Sequence, residues 1–491
     1  MDAAVQFRPY EESAKDQDLA YIARQTVVLT KLLRIYQSID PTAEFESERA
    51  AFRHTIEKLQ QTLYSWIYKI KDGVRTYKSF FDLIESYDQD AGIVITVRKD
   101  DGFRWAVHQI VTLRAVIRST LPIQIFYAGD GALPKKYRDF IKNIQSSYPR
   151  SGSITTIDIT RKFPDPDQRL DVSDQRLMRS FAMLASSFKQ VILSGSDTIY
   201  LQDPRMLLQE PSFLVYGSLF WHDRIFEPAS EDIYNWADEL LERAKSKNLE
   251  KVRKEGVGWF NRKGYYELEK YATNPTPNQA GAMANHSGVL VIDKTRNLAG
   301  LLMTCHMHSK SVFEEITSSR LLGDQQAYWY AHALTSTPYH YVPGYSGGIG
   351  RITPQTQDAN EEHICTSRLL HILESTSEPF WFSSGLTEFM ANNDAEYLIP
   401  QGWVGHDGEW YHDPAATRLD QCCVKMPEGE QGISKPVRRV EEGMRSRLEQ
   451  MIQLAKVYDG LMVEAGLINI SGREDGNASP ATDFRDFIEY Y

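Results

Sequence analysis

The run Val191-Ile192-Leu193-Ser194-Gly195-Ser196-Asp197 ends in the acidic residue where chemistry is first expected in this chain. Asp197 lies just past an apolar stretch and just before another, Ile199-Tyr200-Leu201. A carboxylate at such a strand end suits a divalent cation that neutralises the charge growing on a departing diphosphate; it also suits a turn or a helix cap. Further on, Leu369-Leu370-His371-Ile372 offers an imidazole, as a later loop folding back over the same cation would, though a lone His also serves as a packing group. Asp324-Gln325 opens a helical pattern; side by side, the carboxylate and amide can grip adjacent sugar hydroxyls, and Asp324 can equally cap the helix. Tyr216 to Arg224 gathers aromatic side chains with His222, Asp223 and Arg224, which suits sugar binding or a plain Asp223–Arg224 ion pair. Pro343 to Gly350 is a glycine-rich turn, either a close backbone approach to a ligand or a flexible loop.

These residues need a scaffold, and the apolar pattern supplies one. Gly92 to Val97 reads as a buried strand meeting the polar loop Arg98 to Gly102. A helix over Phe103 to Arg118, a strand over Pro122 to Tyr127, a helix over Lys135 to Ser147 and a strand over Ile154 to Ile159 follow. Gln175 to Ser187 reads as a helix and Gln190 to Leu193 as the strand behind it. Strands alternating with helices predict parallel pairing and a ligand crevice at the carboxyl ends of the strands. Shorter strands are expected at Phe213 to Tyr216 and Gly288 to Ile292. Phe52, Ile56, Leu59, Leu63, Trp66, Ile67 and Ile70 recur at helical spacing, so one long amphipathic helix is expected between about 45 and 85. Helical periodicity returns from Pro436 to Leu467, ahead of a tail. The organisation is thus a helical region over 1–88, an α/β domain over 89–430 and a C-terminal helix with its tail over 431–491.

With 491 residues, 42% of them hydrophobic, the chain can bury a full core. A net charge of -11 argues against a nucleic-acid binder, which needs surplus Lys and Arg to displace counterions. No window approaches the roughly 20 apolar residues of a membrane span, and the N-terminus has no signal-peptide core, so the chain as given reads as soluble. Cys305, Cys365, Cys422 and Cys423 are too few and scattered for a zinc cluster but allow one or two disulfides. Sequons at Asn285, Asn469 and Asn477 permit a secretory origin.

Several of these segments, in this order, resemble the fungal alpha-1,3-mannosyltransferases. The resemblance is carried by Gly92 to Val97, Thr120-Leu121-Pro122 with Ile125-Phe126-Tyr127, Phe181 to Phe188, Gly217 to Arg224, Ser287-Gly288-Val289, Gly323-Asp324 and Pro379 to Leu386. It implies a GT-A, Rossmann-like domain with a mixed sheet, GDP-mannose as donor, Mn2+ as cofactor and transfer with retention to a mannosylated glycan. Asp197 would be the final Asp of the family's Asp-x-Asp motif. His371 would be the later metal ligand, in a His-to-Pro-Trp loop shared with glycogenin-like transferases. Asp324 and Gln325 would face the donor sugar, Asp223 would support it, and Arg98, Asp100 and Gly385 would contact the nucleotide. The resemblance further implies a place in the Golgi lumen, behind a membrane anchor not present here, and a complex with other mannosyltransferases. Without that kinship the reading is soluble and intracellular. Two positions depart from the family pattern. Gly195 stands where the motif normally opens with Asp, and Asn285-His286 stands where a carboxylate or amide followed by an acid is expected. These departures leave two rivals: a non-catalytic glycan-binding subunit, and a transferase for another nucleotide sugar.

Overall fold

The computed structural model describes residues 19–68, 77, 79–100, 102–164, 174–224, 244, 286–318, 324–354, 362–388, 396–412, 422–427 and 436–470. Ile70, Asp101, Asn285, Gly323, Asn477 and the tail lie outside them.

Apart from Phe213 to Tyr216, the apolar runs expected to form strands do so. Strands β1 (Gln89–Thr96), β2 (Ile123–Tyr127), β3 (Ile154–Asp158) and β4 (Phe188–Ser194) are followed by β5 (Ile199–Tyr200), β6 (Ser218–Leu219) and β7 (Val289–Asp293). The main sheet has the order β3-β2-β1-β4-β7-β6. Its first four strands are parallel, with Ile93 opposite both Ile123 and Ile192. β7 then runs antiparallel to β4, with Val191 opposite Ile292. The fold is therefore α/β with a mixed sheet, as expected.

Successive side chains of a strand point to opposite faces, and β1 shows why its run is apolar throughout. Val94 joins a core with the Leu19–Ser38, Gln175–Ala185, Lys294–Met307 and Gln326–Leu334 helices. Ile93 and Ile95 join another, with the Phe103–Ala115, Lys135–Ser147 and Glu442–Glu464 helices. Covered on both faces, the sheet offers its carboxyl edge to ligands.

Beyond β7 come β8 (Gly347–Gly350), β9 (Thr353–Pro354), β10 (Glu362–Thr366), β11 (Leu369–Ile372), β12 (Pro379–Phe382), β13 (Gly402–Val404), β14 (Glu409–His412), β15 (Cys422–Lys425) and β16 (Arg438–Arg439). They form two further sheets, β16-β13-β8-β11-β12-β5 and β14-β15-β10-β9. β5, which begins two residues after Asp197, pairs with β12, and β12 pairs with the strand that carries His371. A disulfide joins Cys365 to Cys423 across β10 and β15, while Cys305 and Cys422 are buried thiols outside it.

Three expectations are corrected. Phe213 to Tyr216 is the end of a short helix, Pro211–Tyr216, because Pro211 starts a helical turn and Gly217, at φ 75°, stops it. The long helix between 45 and 85 is broken: Glu46–Leu63 ends before Tyr64, Trp66 and Ile67 lie in a 3-10 turn, and Phe80–Glu85 starts afresh on Ser79, which caps it. The glycine-rich turn contains a buried strand instead of a flexible loop. A Cβ at Gly348 would lie 2.6 Å from Val424, so bare backbone lets β8 pack against the small sheet. Among the described residues, no helix is long and apolar enough to cross a membrane.

The core also holds uncharged histidines. His332 Nδ1 donates to the Tyr328 carbonyl, and burial lowers the pKa of His306 and His332 from 6.5 to about 4. The unfolded chain takes up a proton near pH 6.5 and the folded chain does not, so this stability is present above pH 6.5 and is lost as pH falls towards 4. Each ring is predicted to cost about 2 kcal/mol between pH 7.5 and 5. Urea unfolding at the two pH values checks this, and equal stabilities would contradict it.

Candidate functional site

The turn His286-Ser287-Gly288, at the entrance to β7, lies beside the carboxyl end of β4. Ser194 is opposite Val289 in the register, and the Gly288 carbonyl accepts hydrogen bonds from Gly195 N (2.7 Å) and Thr198 Oγ1 (3.0 Å). Those bonds fix the loop on which Asp197 stands. Its other side is fixed by Gln109, from the Phe103–Ala115 helix, whose amide donates to Ser194 Oγ (2.7 Å) and to the carbonyls of Gly195 (3.0 Å) and Thr198 (2.9 Å). The Asp197 carboxylate accepts the Ser384 backbone N–H (2.9 Å), and its carbonyl accepts that of Gly385 (2.9 Å). Ser384 (φ 69°) and Gly385 (φ 64°) are both left-handed, and this turns two successive N–H groups onto one aspartate. Buried Arg368 holds the same loop by donating to the Gly385 and Thr387 carbonyls.

The other candidates meet the turn from different sides. Gln325 Oε1 accepts the Ser287 N–H (3.2 Å). Arg179 donates to Ser287 Oγ (2.7 Å). The His286 N–H donates to the Trp221 carbonyl (2.8 Å), two residues before Asp223. His371 lies beside the turn, its Nε2 2.8 Å from His286 Nδ1. Both rings stack on Trp381, with centroid distances of 4.1 Å for His371 and 5.3 Å for His286. Burial, reinforced by His286 and His222, lowers the His371 pKa well below the ordinary imidazole value. Burial also lowers that of His286, against the opposing charges of Asp223 and Asp197. Asp324 is buried and its Oδ2 has no hydrogen-bonding partner among the described residues. It does not cap the helix after it: the N-cap residue is Gln325, with no side-chain cap bond. Asp223 Oδ1 accepts the Arg224 backbone N–H (2.6 Å), while the Arg224 guanidinium lies over Trp410.

Arg98 and Asp100 are exposed in the loop after β1. That loop ends at Gly102, where a Cβ would lie 3.1 Å from Ser196 Cβ, so it borders the Asp197 turn. The structure thus places Asp197, His371, Asp324, Gln325 and Asp223 around one three-residue turn, with Gly385 behind Asp197 and with Arg98 and Asp100 at the rim. Sequence reasoning missed Gln109, Arg179, Arg368 and the joining role of His286. Only His286 carried a signal, as a departure from the family pattern.

A divalent cation can be tested against these donors. A Cβ at Gly195 would lie 2.9 Å from Asp197 Oδ1, so the glycine leaves space beside that oxygen. A neutral imidazole is the form that binds metals. The donor types, a carboxylate and a neutral imidazole, suit a divalent cation once His371 Nε2 exchanges its bond to His286 for one to the ion. Among the described residues, the group of three with ligand atoms within 4.8 Å of one another is His363, Cys365 and Cys423, and its two sulfurs are already spent in the disulfide.

Gly385→Ala would put a side chain into left-handed backbone, though a Cβ there meets only Trp105 at an ordinary 3.6 Å. Unfolding free energy is predicted to fall by about 1 kcal/mol, since the alanine strains the loop that orients Asp197. Denaturant titration of the variant checks this, and an unchanged value would contradict the left-handed geometry given to this loop.

Residues 90–373 match the model of the family described as "Mannosyltransferase putative". No curated protein sequence matches the chain. Solved structures similar to part of it include mouse xyloside xylosyltransferase 1 in its apo form, 15% identical with a TM-score of 0.31, covering 51% of this chain and 84% of that one. Core-mannan synthase A from Aspergillus fumigatus, in a Mn/GDP form, is 10% identical with a TM-score of 0.30, covering 56% and 75%. The mannosyltransferase Ktr4p from S. cerevisiae is 12% identical with a TM-score of 0.27, covering 69% and 82%.

Proposed function

This chain belongs to the mannosyltransferase family whose model spans residues 90–373, and from that premise we propose that it transfers mannose from GDP-mannose to a mannosylated glycan, with retention and an alpha-1,3 linkage. Family membership supports the glycosyl transfer, and the resemblance drawn from the sequence supports the donor and linkage. The observation that carries the reading is the gathering of Asp197, His371, Asp324 and Gln325 around the His286–Gly288 turn at the carboxyl edge of the sheet.

In this reading the nucleotide lies over the loop after β1, near Arg98 and Asp100, and the diphosphate lies near Asp197. Mn2+, held by Asp197 and His371, would offset the charge growing on the leaving diphosphate. The chain's own groups do the positioning. Gln325, held by its bond to Ser287, places Asp324, whose unshared buried oxygen is ready to accept a sugar hydroxyl. Asp223 supports the positive charge developing on the sugar. The acceptor oxygen bonds to the anomeric carbon on the face from which the diphosphate departs, which preserves the configuration, and a leaving-diphosphate oxygen takes the acceptor's proton. The Golgi lumen and a complex with other mannosyltransferases belong to the same reading.

Gly195 favours a second reading, in which the chain binds glycans or a partner transferase without turning over. GDP release from GDP-mannose, with and without Mn2+ and a mannose acceptor, separates the two. Turnover is predicted, with a loss of at least about 100-fold in both Asp197→Asn and Asp324→Asn while circular dichroism is unchanged. No GDP release from the unmodified chain would leave the binding-subunit reading. Thermal shifts with GDP and UDP test the donor, since a ligand that prefers the native state raises its melting point. A larger shift with UDP would overturn the choice of GDP.

A further inference from the structure

His286 and His371 meet end to end. Their rings are nearly coplanar, 19° apart with centroids separated by 5.0 Å, and the closest atoms are Nδ1 of one and Nε2 of the other at 2.8 Å. The centroid separation exceeds the nitrogen separation by about the two ring radii, so the nitrogens face each other along one line. That is the geometry of an N–H···N hydrogen bond. Two imidazoles sharing one ion would instead aim their lone pairs at a third point beside both. Trp381 holds the arrangement by stacking under both rings, at 16° to His286 and 21° to His371. Gly288 admits the indole, since a Cβ there would lie 2.7 Å from it and 2.9 Å from His286 Cε1.

We infer that His286 competes with a divalent cation for Nε2 of His371, and so sets the cation affinity of this site. A metal–imidazole bond is about 2.0–2.1 Å long, so an ion on that nitrogen needs the place that His286 Nδ1 holds. Either tautomer of the pair keeps Nε2 from a cation. If Nε2 of His371 carries the proton it has no lone pair to give, and if it accepts the proton its lone pair is engaged. The cation must displace His286 before this nitrogen can serve as a ligand. The inference rests on the reading of His371 as a cation ligand, through Nε2.

Loss of the free Mn2+ electron paramagnetic resonance signal, on titrating MnCl2 into the full chain with GDP present, measures binding without relying on catalysis. His286→Ala and His286→Phe remove the competing nitrogen, and the Phe variant keeps an aromatic ring on Trp381. Both are expected to bind Mn2+ roughly three- to tenfold more tightly than the unmodified chain, the range set by one net hydrogen bond. His371→Ala is expected to bind more weakly than the unmodified chain. Equal or weaker binding in a His286→Phe chain whose melting point is retained overturns the inference, and weaker binding would make His286 a ligand itself. Binding that is unchanged in His371→Ala fails at the earlier step instead, because His371 would then hold no cation.

Discussion

The Gly288 carbonyl, accepting from Gly195 N and Thr198 Oγ1, is the contact on which the rest of the site depends. Gly195 and Thr198 bracket Asp197, so these two bonds fix the aspartate to the strand that enters the sheet beside β4. The same short turn receives Gln325 and Arg179 at Ser287 and His371 at His286. Buried backbone groups left without partners cost as much as a lost hydrogen bond, so the turn cannot move without releasing several of its neighbours. One three-residue segment therefore makes residues from five distant parts of the chain act as a single unit.

A second layer holds that unit in place. Asp459, on the C-terminal helix, is buried and accepts from Arg104 Nε (2.9 Å) and from the Tyr397 hydroxyl (2.5 Å), and it pairs with His108 (2.7 Å). Arg104 and His108 belong to the helix that carries Gln109, and Tyr397 bridges to Thr387 just beyond Gly385. Burial alone would raise the Asp459 pKa, but the His108 and Arg104 partners outweigh it and hold the carboxyl well below the usual range. Removing one partner of such a buried charged network costs more than the network adds, because the rest are left uncompensated. The C-terminal helix thus braces both sides of the Asp197 loop.

The parallel half of the sheet was legible because its strands are covered on both faces and read as unbroken β-branched runs, as in Ile93-Val94-Ile95. Asp197 was legible for the same reason, standing where such a run stops. The second half was less so. Gly347 to Gly350 reads as a loop by composition, yet forms a strand because a neighbouring sheet needs the space that side chains would fill. Phe213 to Tyr216 has strand-like residues, but its flanking Pro and Gly decide the outcome. Gln109 and Arg368 left no signal at all. Their roles come from bonds to backbone carbonyls far along the chain, at Gly195 and Thr198 for one and at Gly385 and Thr387 for the other, and local pattern does not encode such bonds.

A crystal structure of the chain with GDP and Mn2+ tests most directly whether this turn and its neighbours form a donor site. The account predicts diphosphate density between Asp197 and the His286–Gly288 turn, with the base over the loop after β1. Nucleotide bound elsewhere on the molecule, with that space left to solvent, would contradict it.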